Sequence, residues 1–335
     1  MPVPRHHPKY RGSHIVAESS FDPEPTSHPI SCSMGIMAHN EEANIGRLLE
    51  AVLSQRLITV TLAEIIVVAS GCTDATQDIV RSWAKRDPRV RLVVQERREG
   101  KVSAINCFLS KAREKIVLTS SADLLPEIDA IEQLVSPLAD SAVSMTTCRP
   151  VPIDNPRRFM GFAAQLLWAL HHQLNLTEFK AGEMVSFRRT FKRIPYRTPV
   201  DEASIESMIR GRGYGVRYVG SAIIHNKGPE TISDFLRQRR RIYAGHLAMR
   251  DMVGYQVATL SNTKMVGLVL RHLDWRPRAF IWTLAVAALE AYGRFLGRFD
   301  YARRRDHSVW KISATTKRLD EAPEQGDGRP SAGAR

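Results

Sequence analysis

The sequence predicts an α/β fold in which helices flank a mainly parallel sheet. Short runs of β-branched residues stop at small polar residues, and each run precedes a stretch whose apolar residues have helical spacing. The chain has 335 residues, of which 43% are hydrophobic, and this is enough for one large α/β domain or two modest ones. The composition excludes a disordered protein.

The first strand and helix open the pattern. Ser33–Met37 is a predicted strand, Asn40 is placed to cap the next helix, and Glu41 and Glu42 make its first turn acidic. The helix behind them carries apolar residues with the spacing of one helical face. These residues are Ile45, Leu48, Leu49, Val52 and Leu53.

Two further strand and helix units follow. Glu64–Ala69 and Arg91–Val94 are predicted strands, and Ser70 begins the polar turn after the first of them. Helices of this length between strands imply right-handed crossovers and parallel neighbours. The inward residues are Ile79, Val80 and Trp83 in one helix, and Ala104, Ile105, Phe108 and Leu109 in the helix after Gly100-Lys101.

Lys115–Leu124 is predicted to be the central strand. The run stops at Ser121 and Asp123, and ligands of open α/β sheets bind beyond the carboxyl ends of the strands. Asp123 is therefore a candidate ligand for a hard divalent cation, which prefers carboxylate oxygens. Alternatively, Asp123 caps a helix whose first turn holds Pro126-Glu127, and the local sequence does not decide between the two.

The charge balance indicates an anionic partner. Lys and Arg number 48 against 35 Asp and Glu, which gives a formal net charge of +13. Nucleic acid, anionic lipid and phosphorylated small molecules all fit this charge. The four cysteines are far apart and indicate neither a zinc site nor a disulfide framework, so a reducing cytoplasm is the simplest compartment.

Both ends of the sequence are predicted to be disordered. Residues 1–30 are rich in Pro, His, Ser and charge and lack the apolar segment of a secretory signal. Residues 316–335 have a similarly polar composition. The folded part is therefore expected between these segments.

Seven short motifs occur in order between Ser33 and His246. They are His39-Asn40-Glu41-Glu42, the segment VVASGCTDAT, Gly100-Lys101 with Ala104 and Asn106, Ser121-Ala122-Asp123, Ala181-Gly182 before Phe187-Arg188-Arg189, Asp201-Glu202, and Gln238-Arg239-Arg240-Arg241. Together they resemble the family 2 glycosyltransferases, which have the type A glycosyltransferase fold. The resemblance implies a Rossmann-like, mainly parallel sheet with flanking helices plus a C-terminal helical extension. It also implies a nucleotide-sugar-binding half, 31–125, and an acceptor-binding half of the same domain, 126–250.

The resemblance implies that a nucleotide-diphosphate sugar binds beyond the first strands. Glu41 or Glu42 would bond the ribose, Lys101 would contact the diphosphate or base, and Ser121 could bond a ribose. Ser70 stands where the family commonly carries an Asp that reads the base. In the alternative interpretation the glutamates only stabilise a helix N-terminus and the lysine lies in a solvated loop.

The cofactor implied by the resemblance is Mg²⁺ or Mn²⁺. Ser121-Ala122-Asp123 stands where the family has Asp-x-Asp, so Asp123 retains the carboxylate that is typically the metal ligand. Because Ser121 replaces the first Asp, the site has one negative charge fewer than the family's motif and is predicted to bind the metal more weakly. His225 follows an apolar run, where related enzymes often place a histidine near the metal, although a structural histidine is the alternative.

The acidic pair Asp201-Glu202 reverses the family's usual Glu-Asp order. By position Glu202 is the candidate catalytic base, and Asp201 could substitute for it. A single base with no obvious nucleophile implies direct displacement with inversion at the anomeric carbon. The alternative is an ordinary acidic first turn of the helix that runs through Ile205 and Ile209.

The basic run near residue 240 resembles the family's Gln-x-x-Arg-Trp motif. Gln238 and Arg241 take the positions that help to bind the leaving diphosphate and the acceptor, and Ile242 replaces the Trp. Loss of the aromatic ring removes a platform for stacking on a sugar and argues against a processive polymer synthase. A solvated helix face or a contact with anionic lipid is the alternative.

Residues 251–315 are predicted to form a helical extension at a membrane surface. Ala279–Ala288 is apolar but shorter than the roughly 20 residues of a spanning helix. Arginines and aromatic residues around it favour an interfacial or buried helix. A peripheral contact at the cytoplasmic face of the cell membrane would suit a lipid-linked acceptor.

These observations predict a metal-dependent inverting glycosyltransferase that moves a sugar from a nucleotide-diphosphate sugar to the hydroxyl of a sugar or lipid-linked acceptor. A non-catalytic nucleotide-sugar or lipid-binding scaffold is the alternative, because Ser70, Ser121 and Ile242 depart from the family pattern. Nucleic-acid binding is not expected, because the basic residues are not interleaved with stacking aromatic side chains.

Overall fold

The computed structural model describes residues 29–195, 200–255, 257–303 and 305. The predicted disordered tail, 316–335, lies wholly outside the described residues. The predicted disordered leader, 1–30, also lies outside them except for its last two residues. Within these ranges the chain forms one mixed sheet with helices on both faces, as the sequence predicted.

The sheet has eight strands in the order β3-β2-β1-β4-β7-β6-β8-β5 within the described ranges. The pairs β1–β2, β1–β4, β2–β3 and β6–β8 are parallel, whereas the other three pairs are antiparallel. The strands are Ile30–Ala38 (β1), Val60–Ser70 (β2), Val90–Gln95 (β3), Ile116–Ser121 (β4), Leu125–Pro126 (β5), Val143–Pro152 (β6), Val185–Arg188 (β7) and Gly215–Asn226 (β8).

The helices fill the crossovers and form the C-terminal extension. They are Ile45–Leu53 (α1), Thr76–Arg86 (α2), Lys101–Lys111 (α3), Ala130–Val135 (α4), Phe159–Asn175 (α5), Asp201–Arg210 (α6), Ile232–Val253 (α7), Asn262–Arg271 (α8) and Pro277–Ala302 (α9). The predicted strands and helices of the first half are all present. Several strands extend beyond their predicted bounds because backbone pairing continues past the apolar residues.

Two buried clusters lie on opposite faces of the sheet. One includes Ile45 of α1 and Leu134 of α4, and the other includes Phe108 of α3. Strand β4 supplies both clusters, because Leu118 points to the first and Val117 to the second. The central strand is thus covered on both faces, and its carboxyl end is left as the place where a ligand can enter.

The segment after Asp123 differs from the helix considered as an alternative. Leu125 and Pro126 form β5 and pair with His225 and Ile224 of β8. The helix begins only at Ala130. The alternative in which Asp123 caps a helix starting at Pro126 is therefore wrong.

Helix α9 packs along α7 through a narrow face. A Cβ added at Gly297 would lie 2.7 Å from a backbone oxygen of α7, so only glycine allows this approach. Asp300 is 1% exposed and forms an ion pair with Arg240 of α7. The helix spans 26 residues and is much longer than the apolar run that marked it in the sequence.

Candidate active site

A cavity of about 730 Å³ opens at the carboxyl ends of β1, β2 and β4, with α6 and α7 on the opposite wall. Most of the site residues predicted from the sequence meet here. Those that line the cavity are Glu41, Ser70, Lys101, Ser121, Asp123, Asp201, Glu202, Gln238 and Arg241.

Two predicted site residues lie away from this cavity. The Glu42 carboxylate accepts a hydrogen bond from the Ala75 amide at 2.9 Å, so it stabilises the start of α2. His225 Nε2 lies 3.2 Å from Glu127 Oε1. Because side chains alternate along a strand, the next residue, Asn226, faces the cavity instead. The expectation that His225 is a metal ligand is corrected accordingly.

The end of β2 is fixed by polar contacts to neighbouring loops. His39 Nδ1 lies 2.6 Å from the Ser70 carbonyl oxygen. The Ser70 hydroxyl accepts from the Glu99 amide at 3.4 Å. These contacts join the turns after β1, β2 and β3 at the rim of the cavity, and the sequence named His39 only as part of a motif, without a role.

Glu41, the candidate for a ribose contact, lies in the wall of the cavity. The residue is 8% exposed and lines the cavity. Its carboxylate accepts from Asn44 Nδ2 at 3.0 Å, and its amide donates to Thr76 Oγ1 at 2.7 Å. The carboxylate therefore both supports the start of α1 and reaches the site.

Lys101 joins the two acidic residues at the start of α6. Its Nζ lies 2.9 Å from Asp201 Oδ2 and 2.7 Å from Glu202 Oε1. Gly100, at φ 90°, allows the turn that starts α3 at this lysine. The lysine predicted to contact the donor thus also holds the candidate base in place.

Glu202 and Lys101 have shifted proton affinities. Burial and the neighbouring Asp201 carboxylate raise the pKa of Glu202 to about 7, even though the Lys101 ammonium opposes the shift. Burial lowers the pKa of Lys101, but the two carboxylates more than reverse this and hold it above its usual value. A carboxylate with a pKa near neutrality is suited to general base catalysis.

Oxygen atoms suited to a divalent cation gather at the end of β4. Asp123, Glu183 and Asn226 all line the cavity, and burial and the Asp123 charge raise the pKa of Glu183. Asn226 Oδ1 is buried and has no hydrogen-bond partner among the described residues. This donor set fits Mg²⁺ or Mn²⁺.

The protein supplies few charged ligands for such a cation. No group of three or more His, Cys, Asp or Glu side chains in the part of the chain that the structure describes could hold a metal by itself. A bound cation would therefore take other ligands from the phosphate oxygens of a substrate and from water.

Helix α7 brings the basic motif to the cavity. Gln238, Arg241 and Ile242 all line it, so the sequence register of this motif is consistent with its predicted role. Burial lowers the pKa of Arg241, while the charges of Asp201 and Glu202 oppose this effect. The guanidinium therefore faces the acidic pair across the cavity.

The inner end of the cavity contains residues that sequence reasoning missed. They are Trp168 and His171 of α5, Lys180 before β7, and His246 of α7. Lys180 directly precedes the Ala181-Gly182 motif, and this adjacency was the available signal. The histidines carried no such signal, because only the tertiary fold brings α5 and α7 together.

Comparison with known proteins agrees with this architecture. The family model named Glycosyl transferase family 2 matches residues 33–200. Dolichyl-phosphate beta-glucosyltransferase ALG5C of Trichomonas vaginalis is 37% identical over 71 residues, which are 21% of each chain. Dodecaprenyl-phosphate galacturonate synthase of Rhizobium johnstonii is 29% identical over 110 residues, or 32% of each chain. The matches thus span a fifth to a third of these relatives.

A solved structure shows the same fold over most of the chain. It is the mannosyltransferase PcManGT from Pyrobaculum calidifontis in complex with GDP-Man and Mn²⁺. The TM-score is 0.54 at 24% identity, with 89% of this chain and 86% of that chain covered. The fold is thus the type A glycosyltransferase fold. The chain belongs to glycosyltransferase family 2, and the resemblance seen in the sequence is confirmed.

Proposed function

We propose that the protein transfers a sugar from a nucleotide-diphosphate sugar to an acceptor hydroxyl with inversion at the anomeric carbon. The observation that carries this proposal is the Lys101-held pair, Asp201 and Glu202, which shares one cavity with Asp123 at the end of the central strand. A candidate base and a candidate diphosphate site thus face the same space.

The donor fits the half of the cavity beyond β1, β2 and β4. Glu41 offers a carboxylate to the ribose, and Ser70 and Arg98 lie where a base would enter. On the opposite wall, the side-chain amide of Gln238 supplies a hydrogen-bond donor for the diphosphate, and Arg241 supplies a positive charge. The relative with GDP-Man bound supports a nucleotide-sugar donor for this fold.

Mg²⁺ or Mn²⁺ is the proposed cofactor, with Asp123 as its protein carboxylate and Glu183 and Asn226 as further oxygen donors. When bound, the cation neutralises the negative charge that develops on the leaving diphosphate. The Mn²⁺ in the mannosyltransferase structure supports this choice.

Glu202 is the proposed base. Its carboxylate accepts the proton of the acceptor hydroxyl as the oxygen attacks the anomeric carbon and the bond to the diphosphate oxygen breaks. Lys101 orients the carboxylate, and its positive charge keeps the pKa of Glu202 from rising further. No second carboxylate is needed as a nucleophile, so a single displacement with inversion follows.

A lipid-linked acceptor at the cytoplasmic face of a membrane is the proposed setting. Among the described residues α9 is the one helix long and apolar enough to cross a membrane, judged by length and composition alone. Its buried face packs on α7, whereas its outer face exposes a stripe of large apolar side chains. This stripe, the outer stripe, consists of Ile281, Leu284, Tyr292, Phe295 and Phe299.

Basic side chains surround the outer stripe. Arg276 and Arg278 lie at the start of α9, and Arg298 and Arg303 lie near its end, all exposed. An apolar stripe between arginines suits peripheral contact with an anionic membrane. The two relatives named for polyprenyl phosphates are consistent with such a location.

Donor binding is the direct test of this proposal. The purified protein is titrated with UDP-, GDP- and dTDP-sugars, with and without Mn²⁺, and thermal unfolding is followed. We expect one nucleotide class to raise the melting temperature only with Mn²⁺, and Asp123→Ala to abolish this shift.

His225→Ala is the matched control, because His225 lies outside the cavity and should leave the shift unchanged. No shift with any donor in a folded sample would contradict the proposal and favour the non-catalytic scaffold.

A further inference from the structure

The inner end of the cavity is lined by one lysine and two histidines from three separate segments. Lys180 comes from the loop before β7, and His246 comes from α7. His171 of α5 completes the wall, and its ring centroid lies 5.0 Å from that of Trp168. We call Lys180, His171 and His246 the inner cluster.

Lys180 forms no ion pair with a described carboxylate, although Glu290 and Glu206 act on its charge from a greater distance. Its backbone amide donates to Asn175 Oδ1 at 2.8 Å. Burial, followed by repulsion from Arg239, lowers the pKa of this ammonium to about 8. Burying a lysine without a partner is costly, so such a residue suggests a role in binding.

The nearest carboxylates are already engaged. Glu290 is shared between Arg294 at 3.0 Å and Arg239 at 3.6 Å. Glu206 accepts from Arg210 Nε at 3.1 Å and from the Ala181 amide at 3.2 Å. The two arginines on Glu290 leave excess positive charge behind the inner cluster.

The two histidines add hydrogen-bonding groups without adding charge. Burial and the Lys180 charge lower the pKa of His171 well below its usual value. Burial, with Lys180 and nearby arginines, lowers the pKa of His246 to about 3. Both rings are therefore neutral at physiological pH, and a neutral ring can donate one hydrogen bond to an anion.

The position of Lys180 separates it from the expected diphosphate site. Lys180 precedes β7, which lies beside β4 on the side away from β1 and β2. The neighbouring Ala181 amide bonds to Glu206, which is one helical turn after Glu202 on α6. Lys180 thus lies near α6, the helix of the candidate base, on the side of β4 away from β1 and β2.

Resting on the proposed function, we propose that the inner cluster is an anion subsite that binds the phosphate group of the acceptor. Lys180 supplies the charge, and His171 and His246 supply hydrogen bonds. The acceptor is accordingly a phosphate monoester: either a polyprenyl phosphate, in which a phosphate oxygen takes the place of the hydroxyl and attacks the anomeric carbon, or a soluble phosphorylated compound that attacks through its hydroxyl.

The binding experiment uses inorganic phosphate as the probe. Calorimetric titration is performed on the full chain with saturating nucleoside diphosphate and Mn²⁺, so that the donor site is already filled. Loss of a charged hydrogen bond predicts that Lys180→Met weakens phosphate binding by about tenfold or more. Lys180→Arg should retain most of the affinity.

Lys85→Met is the charge-matched control, because Lys85 is exposed on α2 and lies outside the cavity. It should bind phosphate as the wild type does. Equal affinity of the wild type and Lys180→Met, or absence of phosphate binding by the wild type, would overturn the proposal. Donor binding measured in the same samples separates such a failure from failure of the proposed function.

Transfer assays then identify the source of the phosphate. A polyprenyl phosphate in detergent is compared with its dephosphorylated alcohol, and glycerol 3-phosphate is compared with glycerol. We expect one phosphorylated acceptor to be used, and Lys180→Met to raise its KM more than it lowers kcat. If the polyprenyl alcohol and glycerol are both better acceptors than their phosphorylated counterparts, the proposed phosphate subsite is contradicted.

Discussion

At the residue scale, the proposed mechanism depends on the protonation state of Glu202. Its carboxylate lies 2.7 Å from the Lys101 ammonium and faces a cavity that also holds Asp123. The base must be ionised to accept a proton, and its pKa is raised to about 7 by burial and by Asp201. Activity is therefore coupled to the protonation of one side chain.

This coupling predicts a pH profile. The value of kcat/KM should rise with pH and level off above an inflection near 7, because Glu202 is protonated and inactive below its pKa of about 7. The measurement is the initial rate at subsaturating acceptor between pH 5 and 9, at constant ionic strength. A profile that stays flat down to about pH 5, as for an ordinary Glu with a pKa near 4.3, would contradict the assignment.

The missed residues show the limit of sequence reasoning at this scale. Asn226 and His225 are adjacent, and which of them faces the cavity depends on strand register that long-range pairing sets. Lys101 and Glu202 are 101 residues apart, so their contact was not predictable from local pattern. Most of the motif positions meet at the cavity, because Ser70 and Ser121 end strands and Lys101 and Asp201 start helices.

At the element scale, the strands of the first half were predictable because their β-branched runs are continuous and buried. The wrong interpretation concerned β5, because Pro126-Glu127 has the composition typical of a helix start. Pro126 instead pairs with Ile224 of β8, a partner almost one hundred residues away. A Pro tolerates this position because β5 is the edge strand of the sheet.

The packing of α3 on β1 makes a stability prediction. A Cβ at Gly35 would lie 2.4 Å from Phe108 Cγ, so Gly35→Ala forces the buried ring to move. We expect a loss of about 1–3 kcal/mol in the free energy of unfolding, measured by urea denaturation.

Gly267→Ala is the control, because its Cβ would meet no atom within 4 Å in α8. This change should be neutral or stabilising by up to about 1 kcal/mol, since alanine favours a helix interior. Equal effects of the two substitutions would contradict the close packing of Gly35.

At the scale of the whole molecule, the basic charge is divided between two surfaces. Part of it surrounds the outer stripe of α9, and part lines the cavity at the inner cluster. The sequence indicated an anionic partner from the net charge of +13, but it could not show this division, which depends on the packing of α7 against α9.

Membrane contact through the outer stripe is testable with vesicles. Ile281→Asp combined with Leu284→Asp should reduce sedimentation with anionic phospholipid vesicles by about tenfold or more, because burial of two large apolar side chains is lost. Both residues are exposed, so folding should be retained.

Ile58→Asp is the control, since Ile58 is 75% exposed before β2 and outside α8 and α9. Undiminished vesicle binding by the double variant would contradict a lipid contact at this face.

The central claim is that one cavity holds the sugar donor and the base that activates the acceptor. The most direct measurement compares sugar transfer and donor binding for the wild type, Glu202→Gln and the outside control Glu42→Gln. The account predicts that Glu202→Gln binds the donor normally but loses about 100-fold or more in kcat, while Glu42→Gln retains both. Unchanged transfer by folded Glu202→Gln would contradict the claim.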